Sequence, residues 1–265
     1  MTTSLDPTPP GYAERLATGL HARRPLLTSF GVALGGYLVM AALLLGAALL
    51  ITRVLSPGPV VTWDNSVNRW FVTIRTSPLD SATAIGSALG GAPVIIGTAL
   101  VCTIALAIAK RWKAIAFLIT GLVIESAAFL TTATLVTRPR PMVPKLETSP
   151  PTSSFPSGHT AAAIVLYMSL AIILGTLTRS RVLTTLAWIL ALVLPAFVGV
   201  SRMYRGMHHP TDVIGGCVLG VGALLFALLT VRTDGAVRGR ALEQDGRERV
   251  LHPPSQHASA AAVSR

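Results

Sequence analysis

Residues 156–177 read PSGHTAAAIVLYMSLAIILGTL, a short polar motif followed without a break by an apolar run. After His159 the stretch holds no Asp, Glu, Lys or Arg. A bilayer core of about 30 Å is crossed by about 20 apolar residues rising about 1.5 Å each. The run from residue 158 to 177 meets that length, so the segment predicts a membrane-spanning helix with a polar motif at its first turn.

Other runs of the same kind lie on either side. Residues 30–51, 114–136, 182–200 and 213–231 are each long and apolar enough to cross a membrane. Residues 93–109 are short, but the apolar stretch 79–91 extends them, with a bend expected at Gly90, Gly91 and Pro93. The chain has 265 residues, of which 51% are hydrophobic and 12% charged. Soluble domains carry about 25% charged residues. The expectation is an all-α polytopic bundle of six transmembrane helices over residues 29–231. A tail precedes it (1–28), and a disordered tail follows (232–265). The first span is too long for a signal-peptide core and is read as uncleaved. No internal repeat is visible, which counts against an inverted-repeat transporter. Cys102 and Cys217 fall inside apolar runs and read as reduced, buried residues rather than a disulfide pair.

Charge gives the orientation. The net charge is +11, yet no basic domain stands apart from the spans, so no nucleic-acid partner is expected. Of the 22 Lys and Arg residues, fourteen fall in the two tails and in the second-to-third and fourth-to-fifth connections, against eight on the other side. The positive-inside rule then makes both termini cytoplasmic, in a plasma (inner) membrane protein. The first outer connection contains Trp63, Asp64, Asn68, Arg69, Trp70 and Phe71, a mixture suited to an interfacial helix.

On the outer side the polar residues gather into three clusters at the ends of spans. These are Arg138-Pro139-Arg140-Pro141, then Pro156-Ser157-Gly158-His159, then Ser201-Arg202 followed by His208 and Asp212. Bundled helices would bring them to one depth. Guanidinium groups pair with phosphoryl oxygens, and the amides of Ser157 and Gly158 at a helix start favour an anion. Asp212, four residues after His208, can orient that imidazole and leave its other nitrogen as a nucleophile. His159 would serve as general acid.

These clusters resemble the type 2 phosphatidic acid phosphatases, whose site is shared with vanadium haloperoxidases and bacterial acid phosphatases. The family pattern is Lys-x6-Arg-Pro, Pro-Ser-Gly-His and Ser-Arg-x5-His-x3-Asp. The second part stands complete at residues 156–159 and the third at 201–212. The resemblance implies His208 as nucleophile oriented by Asp212, and His159 as acid and then base. It also implies Arg140, Arg202, Ser157 and the Gly158 amide as phosphate ligands. No metal-ligand cluster stands in the sequence, so no metal or cofactor is expected. The first part departs from the pattern: Ala133 stands where the lysine is expected, and Arg138 or Lys145 is the candidate replacement. Arg138 is also read as a simple anchor at the headgroups. Arg205 is open between headgroup contact and interfacial charge, and His209 reads as a solvated loop residue.

Glu125 is the one ionisable residue deep in a span. Arg140 lies 15 residues further on, about 22 Å along a continuous helix. Glu125 is therefore expected to be a hydrogen-bonded group facing the bundle interior, with lipid-tail selection or subunit contact as alternatives. The function expected is hydrolysis of a membrane lipid phosphate or diphosphate: an isoprenoid diphosphate, phosphatidic acid or phosphatidylglycerol phosphate. The alternatives are a catalytically weakened lipid-phosphate binding or transfer protein, and, lower, an anion transporter.

Overall fold

The computed structural model of the chain describes residues 5, 15, 24–149 and 151–251, with side chains as far as residue 240. Most of the N-terminal tail and residues 252–265 lie outside the described residues. Among those described there is no strand.

The helices are α1 (Pro25–Leu49, continued by a π turn over Leu50–Val54), α2 (Pro59–Thr73), α3 (Ser77–Leu89) and α4 (Ala92–Ile108). They continue as α5 (Trp112–Leu135), α6 (Gly158–Leu177), α7 (Arg181–Tyr204) and α8 (Pro210–Leu251). Proline near the first position begins α1 to α4, where its missing N–H costs nothing. Ser180 caps α7 by accepting a hydrogen bond from the Leu183 amide at 3.3 Å.

Among the described residues five helices are long and apolar enough to cross a membrane, and α3 with α4, bent by 48°, passes the same test as a pair and makes the candidate sixth span. That bend falls at Gly90-Gly91, as the sequence predicts, and α6 has the expected limits. α7 runs four residues further than the apolar run, so Ser201 and Arg202 stand on its last turn. α8 continues well past Asp234, so the first part of the segment expected to be disordered is helical. Ala, Leu, Arg, Glu and Gln there are strong helix formers, and Asp234 pairs with Arg238 one turn on at 2.7 Å.

α6 packs against α5, α7 and α8, while α1 lies against α8 and α5. Phe117, Leu118, Val165, Leu166 and Ala227 are fully buried between them. Leu38, Leu100, Val101, Leu186, Leu190 and Leu225 face outward, forming the apolar exterior of a lipid-facing bundle. Lipid chains are as apolar as leucine, so such spans are held by close packing and hydrogen bonds rather than by expulsion of water. Gly220 illustrates the packing: a Cβ there would stand 2.9 Å from the Ala161 carbonyl oxygen of α6.

α2 packs against α7 and α8. Trp63 and Trp70 are exposed, and Asp64, Asn68 and Phe71 are buried, which is the amphipathic pattern expected of an interfacial helix. Asp64 ties it to the bundle. Its carboxylate accepts from the Thr211 amide at 3.0 Å and the Thr211 hydroxyl at 2.7 Å, which caps α8 from another helix. The bent span is fastened to α7 by Tyr204, whose hydroxyl donates to Asp80 at 2.8 Å and accepts from the Thr76 amide at 3.1 Å.

Candidate active site

The loop from residue 136 to 157 dips back between the helix ends, and the three polar clusters meet beneath it. Arg140, Gly158, His159, Arg202 and His208 line one cavity of about 380 Å³. α6 supplies Gly158 and His159, α7 supplies Arg202, and the link to α8 supplies His208. A larger cavity of about 590 Å³ lies on the other side of Arg140 and contains Arg138 and His209, but neither His159 nor His208.

His208 is almost fully buried. Its Nδ1 lies 2.7 Å from the Ser154 carbonyl oxygen. A carbonyl can only accept, so Nδ1 carries the proton and Nε2 is the free nitrogen. The loop's backbone is fixed in turn, because Asn68 donates to the His208 carbonyl at 3.0 Å. Burial lowers the imidazole's proton affinity, and Arg202 and Arg140 lower it further against the opposing pull of Asp212. A neutral imidazole held in one orientation can act as a nucleophile.

Asp212 was expected to orient His208, but its carboxylate stands 3.7 Å from Nδ1, beyond hydrogen-bond reach. It is fully buried and holds the loop instead. It accepts from the His209 amide at 2.7 Å and from His209 Nδ1 at 3.2 Å, and it binds the Ser154 hydroxyl and the Arg138 guanidinium. Since Ser154 also presents the carbonyl that holds His208, Asp212 acts on the histidine through Ser154. His209 is accordingly a buried structural residue and not a solvated one.

Arg138 has both arms committed. One reaches Asp212 and the Thr211 hydroxyl, and the other reaches Asp64 at 2.6 Å. It therefore stands among carboxylates, outside the cavity with the histidines. Lys145 is exposed and bonds Ser149 at 3.2 Å. Neither cation fills the gap left at Ala133, and Arg140 and Arg202 are the cations that line the cavity. Arg140 donates to the Met207 carbonyl at 2.8 Å, while its buried Nε has no partner among the described residues. Burial works against its charge, with Asp212 and Glu147 favouring it.

Arg202 also keeps a buried Nε without a partner. It donates to the Ser87 hydroxyl at 2.7 Å and is paired with Glu147. Glu147 bridges to Arg205 at 3.0 Å as well, and Arg205 binds the carbonyls of Leu146 and Asp80 at 2.8 and 3.1 Å. Arg205 thus pins the loop to α7 and α3. Ser157 is fully buried outside the cavity; its amide donates to the Asp212 carbonyl at 2.9 Å and its hydroxyl meets that of Thr160 at 3.0 Å. That leaves Gly158 as the residue of the helix start that lines the cavity, with no side-chain cap on α6. His159 lines it too, against Gly90, where a Cβ would stand 2.9 Å from the His159 carbonyl oxygen.

Sequence reasoning missed Ser154, Glu147 and Asp64. Only Asp64 left a signal, as the one acidic residue in the interfacial stretch of residues 63–71.

Residues 112–236 match the family model described as the PAP2 superfamily. Phosphatidylglycerophosphatase B of Bacillus subtilis is 40% identical over 80 residues, covering 29% of this chain and 37% of that protein. An undecaprenyl-diphosphatase of Sulfolobus acidocaldarius is 31% identical over 93 residues, 35% of this chain and 40% of that protein. The matched stretches thus span less than half the length of these curated relatives. The crystal structure of a transmembrane PAP2-type phosphatidylglycerolphosphate phosphatase from Bacillus subtilis superposes with a TM-score of 0.60. It is 24% identical, and the match covers 76% of this chain and 93% of that one, a likeness of fold.

Proposed function

We propose that this chain, whose residues 112–236 match the PAP2 superfamily model, acts as a member of that family and hydrolyses a membrane lipid phosphate or diphosphate through a phosphohistidine at the outer face of the membrane. The observation that carries this reading is the shared cavity of His159, His208, Arg140 and Arg202, with His208 held through Nδ1 by the Ser154 carbonyl.

The substrate's phosphoryl group enters between Arg140 and Arg202, whose guanidinium groups take up its charge. Nε2 of His208 attacks phosphorus. A phosphorus–nitrogen bond forms as the bond to the leaving oxygen breaks, and His159 gives that oxygen its proton. General acid assistance of this kind contributes about 10²–10⁴-fold. Water then attacks phosphorus with His159 as base, inorganic phosphate leaves, and His208 is regenerated. Arg138, Asp212 and Ser154 hold the nucleophile's loop and do not touch the phosphate.

Sidedness rests on the fourteen-to-eight distribution of basic residues, which leaves the termini in the cytoplasm. A site at headgroup depth lets phosphate and water reach the histidines while acyl or prenyl chains stay in lipid. The substrates that fit are an isoprenoid diphosphate, phosphatidic acid or phosphatidylglycerol phosphate. Release of phosphate from a panel of these lipids in detergent, with His208→Ala as control, tests the reading. Turnover lost in the variant is expected. Equal turnover in the two proteins, or none on any lipid, contradicts it.

A further inference from the structure

The cavity that holds the catalytic histidines does not stop at them. It continues between α4, α5 and α6, lined by Ile95, Ile96, Phe129 and Ala162, and it reaches Glu125 and Ser126. The depth of Glu125 follows from the helix register. Phe129 lies against Gly158, since a Cβ on that glycine would meet its ring at 3.0 Å. Glu125 is one turn of α5 further from the outer surface, about 6 Å along the axis, level with Ala162 one turn into α6. The linear distance from Arg140 misled, because α5 ends at Leu135 and the following loop folds back over the helix ends.

Glu125 is 3% exposed. Oε2 accepts from the Ser126 hydroxyl at 3.0 Å, and no protein group bonds Oε1 among the described residues. No cation pairs with it there either. Around it the cavity wall is hydrocarbon, and the rim at Ala92, Ile96 and Ser126 is exposed on the face turned to lipid. A buried carboxyl held by a single hydrogen bond in such a place is costly unless a ligand supplies a further partner.

We propose that Glu125 is a specificity-determining residue, and that it favours lipid phosphates built on an oxygen-bearing glycerol backbone over prenyl phosphates. A lipid whose phosphate sits among Arg140, Arg202, His159 and His208 presents its next few bonds to the level of Glu125. A diacylglycerol phosphate places ester oxygens there, which accept from the O–H of the neutral carboxylic acid. A prenyl phosphate places bare hydrocarbon there and leaves the carboxyl without a partner. The inference rests on the phosphatase reading above and names the substrate class of that same site.

The test is kcat/KM for dioleoyl phosphatidic acid and for a prenyl monophosphate, measured in the same detergent on the full chain, on Glu125→Gln and on Glu125→Leu. The wild type should favour the diacyl lipid by at least about tenfold, the scale of one buried polar group left without a partner. Glu125→Gln should keep that preference. Glu125→Leu should lose it on the diacyl lipid alone, with prenyl turnover held or raised. Equal preference in wild type and Glu125→Leu overturns the proposal, as does an equal loss on both lipids. A wild type without preference overturns it even if the leucine variant does not fold. Absence of turnover on every lipid overturns the phosphatase reading first and this inference with it.

Discussion

The Nδ1 of His208 sits 2.7 Å from the Ser154 carbonyl oxygen, while the Asp212 carboxylate is 3.7 Å from the same nitrogen. The His208 imidazole, the proposed nucleophile, is thus oriented by backbone, and Asp212 acts one step away by fixing the loop that presents that carbonyl.

This arrangement separates stability from chemistry. Asp212 and Arg138 are a buried pair with Asp64 as third member. Removing one partner strands a charge, which costs about 3–5 kcal/mol. Asp212→Ala and Arg138→Met should each lower the thermal unfolding midpoint in detergent by several degrees. His208→Ala removes one hydrogen bond of about 1 kcal/mol, and should unfold near the wild-type temperature while losing activity. An Arg138→Met protein of normal stability with a selective rise in KM would instead make Arg138 a phosphate ligand.

The pH profile follows from the same histidine. Burial, with Arg202 and Arg140 nearby, holds His208 below the ordinary imidazole value. The neutral nucleophile should then persist below pH of about 6.5, and the acidic limb of kcat/KM should lie under that value. Folded His208 binds fewer protons than the unfolded chain. Its contribution to stability is therefore intact above the unfolded value and declines as pH falls from there towards the folded one. Arg202→Met removes a positive neighbour, so the limb should move to higher pH. A limb already above the ordinary imidazole value in the wild type would contradict the assignment.

In the proposed reaction Glu147 competes with the phosphoryl group for Arg202, since it is paired with Arg202 and with Arg205. Glu147→Gln should tighten inhibition by inorganic phosphate and by vanadate, a mimic of five-coordinate phosphorus, by about tenfold, or 1.4 kcal/mol. Inhibition constants determined against one lipid substrate decide it. Unchanged constants would mean that the carboxylate leaves Arg202 without cost.

The cavity's charge is supplied by Arg140 and Arg202, and no cluster of three or more His, Cys, Asp or Glu residues able to hold a metal occurs among the described residues. Phosphate release should continue in excess chelator. Loss in EDTA with recovery on adding a divalent cation would sink this prediction.

Much of this was legible in the sequence, and the reasons are physical. Span length is set by bilayer thickness, so α6 was bounded to the residue and the break at Gly90-Gly91 was foreseen. The motif residues at helix ends could be brought together because bundled helices share a depth. What could not be read lies in the loop after α5. Ser154 and Glu147 act through a backbone path that no periodicity encodes. Glu125 was misplaced relative to Arg140 because distance along a helix holds only while the helix continues. Arg138 and Ser157 look like phosphate ligands by residue type, yet nearer partners, Asp64 and Asp212 for one and Thr160 for the other, have taken them.

The central claim is a covalent bond between phosphorus and Nε2 of His208. Rapid mixing with a lipid carrying radiolabelled phosphate, quenching in alkali where phosphohistidine survives, and mapping of the labelled peptide test it most directly. Label on the peptide containing His208, absent in His208→Ala, is the predicted result. Label on another residue, or His208→Ala turning over at the wild-type rate, would contradict the account.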